Sequence, residues 1–309
     1  MSLTQTIQLG EPTEHRGITI APLFPRQSPR ATYLTLDEAM AAGLCVEEVS
    51  DAGSVPELLV ANPTEQRVLL LDGEELIGAK QNRILNVSVL VAPRSDLRIP
   101  VSCVEEGRWS QRSASFESAP HTAHPELRRR KAERLRGAPM ALGSAQGEVW
   151  DEVRGKLDRL GSPSPTGAQS DAFAARRADL STLAGAFPLT PGQSGAIVGL
   201  RGRVVACDLV SLPSAFSRLY PKLLAGYLLD AIECLDAPAT DRQAIEGFLA
   251  ALDWARLARR PSVGLGEDLR LTGTGVVGSG LELEGELIQL SAFPSEGRVT
   301  RIARPSRRA

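Results

Sequence analysis

Between Leu69 and Trp109 the chain concentrates side chains able to do acid–base, anion-binding and nucleophilic chemistry. The segment GEELIGAKQNR (73–83) sets two adjacent carboxylates, Glu74 and Glu75, before Lys80, Gln81, Asn82 and Arg83. Such a run could supply a general acid or base, a cation for phosphate or carboxylate, and amide donors on one strand and turn. Neighbouring strand residues face opposite ways, so at most one of Glu74 and Glu75 enters a given site. The ordinary alternative is a solvated hairpin with surface charges.

The segment IPVSCVEEGRW (99–109) adds Cys103, Glu105, Glu106, Arg108 and Trp109. Cys103 followed by Arg108 superficially resembles a cysteine phosphatase loop, but that loop needs five intervening residues and four stand here, two of them acidic. Adjacent carboxylates oppose a thiolate and an anionic substrate alike, so a buried structural thiol is the simpler reading. Glu105 or Glu74 is the better candidate for a base. With Glu75 and Glu106 these carboxylates could also ligate a divalent cation such as magnesium or calcium. Arg83, Lys80 and Arg108 suit phosphates, and Gln81, Asn82 and Asn86 suit hydroxyls or amides. A structural ion pair is the competing role for Glu105 and Arg108.

These residues need strands to position them. The pattern from Arg67 reads strand, Asp72-Gly73 turn, strand, polar run, and two further strands. Alternation of Leu85, Val87, Val89 and Val91 with Asn86 and Ser88 predicts a sheet with a polar face. Before this region, TIQLG and GITIAPLF read as strands, and Thr35 to Glu38 as a helix start with a capping box. After it, residues 110–124 read as a loop that puts His121 and His124 at the surface rather than in a zinc site, and His15 too is paired with no strong motif. ELRRRKAERLR (126–136) reads as a basic helix with a solvated face. QGEVWDEVRGKLDRLG (146–161) reads as an amphipathic helix with Trp150 in the core. Arg201-Gly202 and Glu284-Gly285 mark hairpins, two helices lie between them, and RVTRIARPSRRA (298–309) is a basic tail free to fray.

The order predicts an α+β fold, with a mostly antiparallel, sandwich-like sheet core and helices from a central insertion and the C-terminal half. A single domain spans 1–309, divided into a β-rich part (1–110), a helical insertion (111–190) and a strand-helix-helix-strand part (191–309). There is no GxGxxG between strand and helix and no GxxxxGK[ST] loop, which disfavours a Rossmann dinucleotide turn and a P-loop. Lys and Arg total 35 against 37 Asp and Glu, for a net charge of −2, so no global field favours nucleic acid or an anionic membrane. Four scattered cysteines fit a reducing cytoplasm. No leader and no apolar run of about 18 residues is present. Nothing in the sequence sets an oligomeric state.

LLLDGEELIGAKQNRILNVSVLV, IPVSCVEEGRW, the QGEVWDEVRGKLDRLG helix with its following SPTGA, and GLRGRVVACDLVS with LYPKLLAGYLLDAIE occur in an order that resembles the ARPP domain family. Its name associates it with ADP-ribosylglycohydrolase and rhodanese/phosphatase proteins. The resemblance implies a nucleotide-type, ADP-ribose-like or NAD-derived ligand, and it carries over Glu74, Glu75, Lys80, Gln81, Asn82, Arg83, Asn86, Cys103, Glu105, Arg108 and Trp109. Gln146, Trp150 and Thr166 stand behind them. The chain departs at Glu106 and Ser110, where an amide and a basic or aromatic residue are expected. A regulatory or protein-interaction module, with the signature serving structure, is the alternative.

Overall fold

A computed structural model describes residues 3–50, 53–135 and 146–295; the basic tail lies outside them. The chain opens with a short helix α1 (Leu3–Thr6) and strands β1 (Ile7–Leu9), β2 (Thr13–His15) and β3 (Ile18–Pro25). Next come β4 (Leu34–Thr35), α2 (Leu36–Ala41), β5 (Cys45–Glu48), β6 (Glu57–Asn62) and β7 (Val68–Leu70). The signature region holds β8 (Glu74–Gly78), β9 (Arg83–Leu85), β10 (Val89–Val91) and β11 (Ser95–Cys103). β12 (Phe116–Thr122), α3 (Pro125–Arg134), α4 (Gln146–Leu160), α5 (Gln169–Ala175) and α6 (Arg177–Ala184) follow. The last part contains β13 (Gly195–Leu200), β14 (Arg203–Val210), α7 (Pro213–Ala231) and α8 (Arg242–Asp253). It ends with β15 (Arg256–Pro261), β16 (Glu267–Gly273), β17 (Val276–Leu283) and β18 (Glu286–Pro294).

These elements make an α+β fold built on antiparallel sheets. The six-stranded sheet runs β12-β8-β9-β11-β6-β5 and carries the signature. A nine-stranded sheet runs β1-β3-β13-β14-β18-β17-β16-β15, with β2 also on β3. The first strands thus join the last third of the chain. A small sheet, β10-β7-β4, includes one parallel pair, β4 with β7. Helix α7 packs on β12 and β4 as well as on β13 and β14, and α3 packs on β14, β17 and β18. Helix α7 therefore bridges the two large sheets, α3 reaches the six-stranded sheet through Lys131 Nζ, which donates to Leu85 O of β9, and the largest apolar cluster includes Leu127, Phe216 and Tyr227 with Ile84 and Val198.

Local chemistry explains several element ends. The Glu38 carboxylate accepts from the Thr35 N–H and hydroxyl at 3.0 and 2.8 Å, closing the predicted capping box. Arg201-Gly202 and Glu284-Gly285 both take positive φ at each residue, the conformation a two-residue hairpin needs to match strand twist. Helix α8 stops at Asp253, and β15 begins at Arg256.

Gly226 on α7 marks the closest approach of helix to sheet. A Cβ there would lie 2.8 Å from Thr122 Oγ1 and 3.1 Å from the Ala123 carbonyl oxygen. Gly226→Leu should therefore lower unfolding free energy by about 1–3 kcal/mol through overpacking. Urea denaturation checks this, and an unchanged midpoint would contradict it.

Candidate functional site

Strand alternation sends Glu74 and Glu75 to opposite faces of β8, as expected, and both are buried. Glu74 Oε2 accepts the Leu71 N–H at 2.8 Å, and its Oε1 lies 3.0 Å from Lys222 Nζ on α7. Lys222 also donates to Asp37 Oδ1 and Ser118 Oγ, each at 2.6 Å. Burial disfavours the Lys222 charge, but Glu74 and Asp37 outweigh it and hold the ammonium above its ordinary range. On the other face, Glu75 Oε2 meets His121 Nε2 at 3.0 Å and accepts from Gln169 Nε2 at 2.6 Å. His121 stacks on Phe173 with ring centroids 3.7 Å apart.

The chain reverses after β8 through Gly78 and Ala79, both at positive φ. That turn aims two carbonyls at Arg108, which donates to Ala79 O and Ser110 O at 2.8 Å and to Gly78 O at 3.1 Å. Arg108 also grips Glu105 with two bonds, Nε to Oε1 at 2.8 Å and Nη2 to Oε2 at 2.7 Å. Glu105 takes two further donors, the Asn82 N–H at 3.0 Å and Thr166 Oγ1 at 2.8 Å. Burial alone would raise the Glu105 pKa, but Arg108, Asn82 and Thr166 together hold it below the usual carboxylate range. The Thr166 loop is itself anchored here, since the Gly107 N–H donates to Thr166 O at 2.8 Å and the Gln169 N–H to Val104 O at 2.9 Å. A carboxylate with four donors is a satisfied brace, with little capacity left to move a proton.

Gln81 and Asn82 are absorbed in the same network. Gln81 Nε2 donates to Glu105 O at 2.9 Å, and its Oε1 accepts from Arg83 Nη1 and Cys103 Sγ, each at 3.1 Å. Asn82 Oδ1 accepts from Arg108 at 3.2 Å, and its Nδ2 donates to Ser170 Oγ at 3.1 Å. Burial pushes the Cys103 thiol up, which fits a structural thiol. Gln146 clasps the Cys103 backbone, donating to its carbonyl at 2.7 Å and accepting its N–H at 2.9 Å. Asn86 stands apart and accepts from Ser102 Oγ at 2.8 Å.

The outer face is different. The Arg83 side chain is 0% exposed, and its Nε and Nη2 have no hydrogen-bond partner. Its nearest carboxylate oxygen, Glu48 Oε1, is 4.0 Å from Nη2. Burial lowers the Arg83 pKa, with Cys103, Glu48 and Glu105 opposing that shift. The Trp109 ring lies 5.7 Å from Lys80 Nζ and 5.7 Å from Arg83 Cζ, a cation–π contact with each. Trp109 is 49% exposed. Of this group, Lys80 and Trp109 reach the surface, and Arg83 lies buried beneath them.

Several sequence expectations change. The 110–124 stretch holds β12, and His121 and His124 are buried, not at the surface. The helix 126–134 is not solvated on all of its basic positions: Arg128 and Lys131 are buried against Asp208 and Asp72. The residues after Leu85 leave the strand, and Asn86 and Ser88 are buried with no exposed polar face. Glu74, Glu75 and Glu105 face Lys222, His121 and Arg108 respectively, with Asn82 donating to both Glu75 and Glu105, and Glu106 pairs with Arg154 at 2.7 Å. No group of three or more metal-ligating side chains occurs among the described residues. Glu48, Lys222 and Gln169 were not legible as members, because each comes from a distant element without a motif of its own.

An open cleft of about 790 Å³ lies elsewhere, between α3, α4, α8 and the β13–β14 hairpin, and no signature residue from 74 to 109 lines it. No helix among the described residues is long and apolar enough to cross a membrane.

The fold and this interior define an α+β protein whose charged signature is folded inward around a small outward-facing patch. The chain belongs to the ARPP-1 family, described as the ARG and Rhodanese-Phosphatase-superfamily-associated Protein domain, whose model matches residues 6–293. Neither a curated protein nor a solved structure matches it.

Proposed function

We propose that this chain binds a phosphate-bearing, nucleotide-type ligand, such as ADP-ribose or an NAD-derived nucleotide, at Lys80, Arg83 and Trp109. One observation carries the reading: a buried guanidinium with two donors lacking partners sits beneath a half-exposed indole. An aromatic base can stack on the exposed part of that indole while phosphate oxygens meet Lys80, with the buried Arg83 charge behind them. In this reading Glu105, Arg108, Asn82 and Gln81 position the patch, and Glu74 ties β8 to α7. The family name supports the ligand class. The free cysteines support a reducing, cytoplasmic setting.

A second reading, a regulatory or protein-interaction module with a purely structural signature, is favoured by the closed Glu105–Arg108 network. Thermal shift assays with ADP-ribose, NAD and AMP, with and without magnesium, separate the two. Binding at a hundredfold excess over Kd should stabilise the chain by about 2.7 kcal/mol. Trp109→Ala should abolish the shift while leaving the ligand-free melting temperature nearly unchanged. No shift with any of the three ligands would overturn the first reading.

A further inference from the structure

The 790 Å³ cleft is built from two unlike walls. One wall is apolar: α8 turns Ala244, Gly247, Phe248 and Ala251 toward it, with Leu200 and Pro294 beside them. Gly247 is exposed and a Cβ there would meet nothing within 4 Å, so the cleft is open in front of this helix face.

The other wall is a chain of ion pairs. Glu126 holds Arg129 and Arg130 at 2.8 Å, and Arg130 reaches Glu152 at 2.9 Å. Glu152 meets Arg159 at 3.0 Å, Arg159 meets Glu233 at 2.8 Å, and Lys156 joins Glu233 to Asp230. The two ends of each pair are not equally placed. The Glu152 side chain is 2% exposed, whereas Arg130 and Arg159, which it binds, are 47% and 45% exposed. At Glu152 the carboxylate stands behind and its two guanidiniums in front, whereas Lys156 lies deeper than Asp230 and Glu233, and Arg129 deeper than Glu126. Exposed Arg201 and Arg203 add two cations at the hairpin tip, and no carboxylate of the described residues forms an ion pair with Arg203. Six cationic side chains thus line the cleft against four carboxylates.

We propose that this cleft is a second binding site, for an amphipathic organic anion: a phosphate or sulfonate facing Arg130, Arg159 and Arg203, and a flat apolar body lying on α8. The volume falls in the range of small-molecule sites, and an apolar surface with a few fixed charges is their usual composition. Arg130 and Arg159, both held by the buried Glu152, lose little freedom when an anion arrives. A solvated ion-pair ladder would explain the charges alone. It would not account for the apolar face of α8 opposite them.

The probes are 8-anilinonaphthalene-1-sulfonate, read by fluorescence, and 1-naphthyl phosphate as its competitor, with neutral 1-naphthol as control. Saturable one-to-one binding is expected, with 1-naphthyl phosphate competing at least about tenfold better than 1-naphthol. Gly247→Leu, which puts a side chain into the open cleft, and Arg203→Glu, which reverses the exposed charge, should each weaken binding about tenfold without lowering the melting temperature. Trp109→Ala should leave it intact, which separates this site from the signature patch. Equal competition by 1-naphthol, unchanged affinity in both cleft variants, or loss of binding in Trp109→Ala would overturn the proposal.

Discussion

Arg128→Met should lower unfolding free energy by about 3–5 kcal/mol, the scale for removing one partner of a buried ion pair. Arg128 is fully buried and binds both Asp208 carboxylate oxygens, at 2.7 and 2.9 Å, and Ser291 Oγ at 2.8 Å. Its Nε is 3.7 Å from Asp72, which Lys131 holds at 2.7 Å. Asp208 and Ser291 belong to β14 and β18, whereas Asp72 precedes β8, so this helix turn fastens one large sheet to the other. Methionine would fill much of the volume and strand Asp208, whose other donors are Tyr227 Oη at 2.6 Å and Ser291 Oγ at 2.7 Å. Arg128→Met combined with Asp208→Asn should recover a substantial part of the loss, because the buried charge goes with its partner. Chemical denaturation of both variants checks this; a single variant as stable as the parent chain would contradict it.

Glu105→Gln should cost a similar amount, about 3–5 kcal/mol, by leaving the buried Arg108 guanidinium without its counter-charge. The effect has a pH signature. Glu105 is held below its ordinary range in the folded chain, so its stabilisation is fully present above the unfolded value near pH 4.3 and is lost as pH falls through the lower folded value. The gap between parent and variant should therefore be constant at neutral pH and shrink on acidification below about pH 4. Parallel stability curves over that interval would show that Glu105 is not the ionised brace described above. A catalytic role alone would predict little change in stability at any pH.

Local signals were readable where they depend on neighbours in sequence. The Thr35–Glu38 capping box, the Arg201-Gly202 and Glu284-Gly285 turns and the opposed faces of Glu74 and Glu75 each follow from a few adjacent residues. The misreadings share one cause, partners distant along the chain. Arg128 and Lys131 look like solvent-facing charges because Asp208 and Asp72 are 80 and 59 residues away. His121 sits in a Ser-, Ala- and Pro-rich stretch that reads as a loop, yet β12 pairs with β8 and brings it to Glu75. The pairing of β3 with β13 joins Ile18 to Leu200, a register no local pattern encodes.

The candidate site shows the same division. Its residue types were legible, and so was the improbability of a thiolate at Cys103. Their division into an inner brace and an outer patch was not, since it depends on Thr166, Gln169 and Lys222 arriving from other elements. The cleft left no motif either, because its lining runs from Pro125 to Ser295.

The central claim is that the signature braces the fold from within and binds ligand only at its outward patch. Tryptophan fluorescence tests it most directly in a chain carrying Trp150→Phe and Trp254→Phe, where Trp109 is the remaining indole. Titration with ADP-ribose and with AMP should produce a saturable change in Trp109 emission, lost in Lys80→Ala at an unchanged melting temperature. Trp109 emission that stays constant with both ligands in a folded chain would contradict the account.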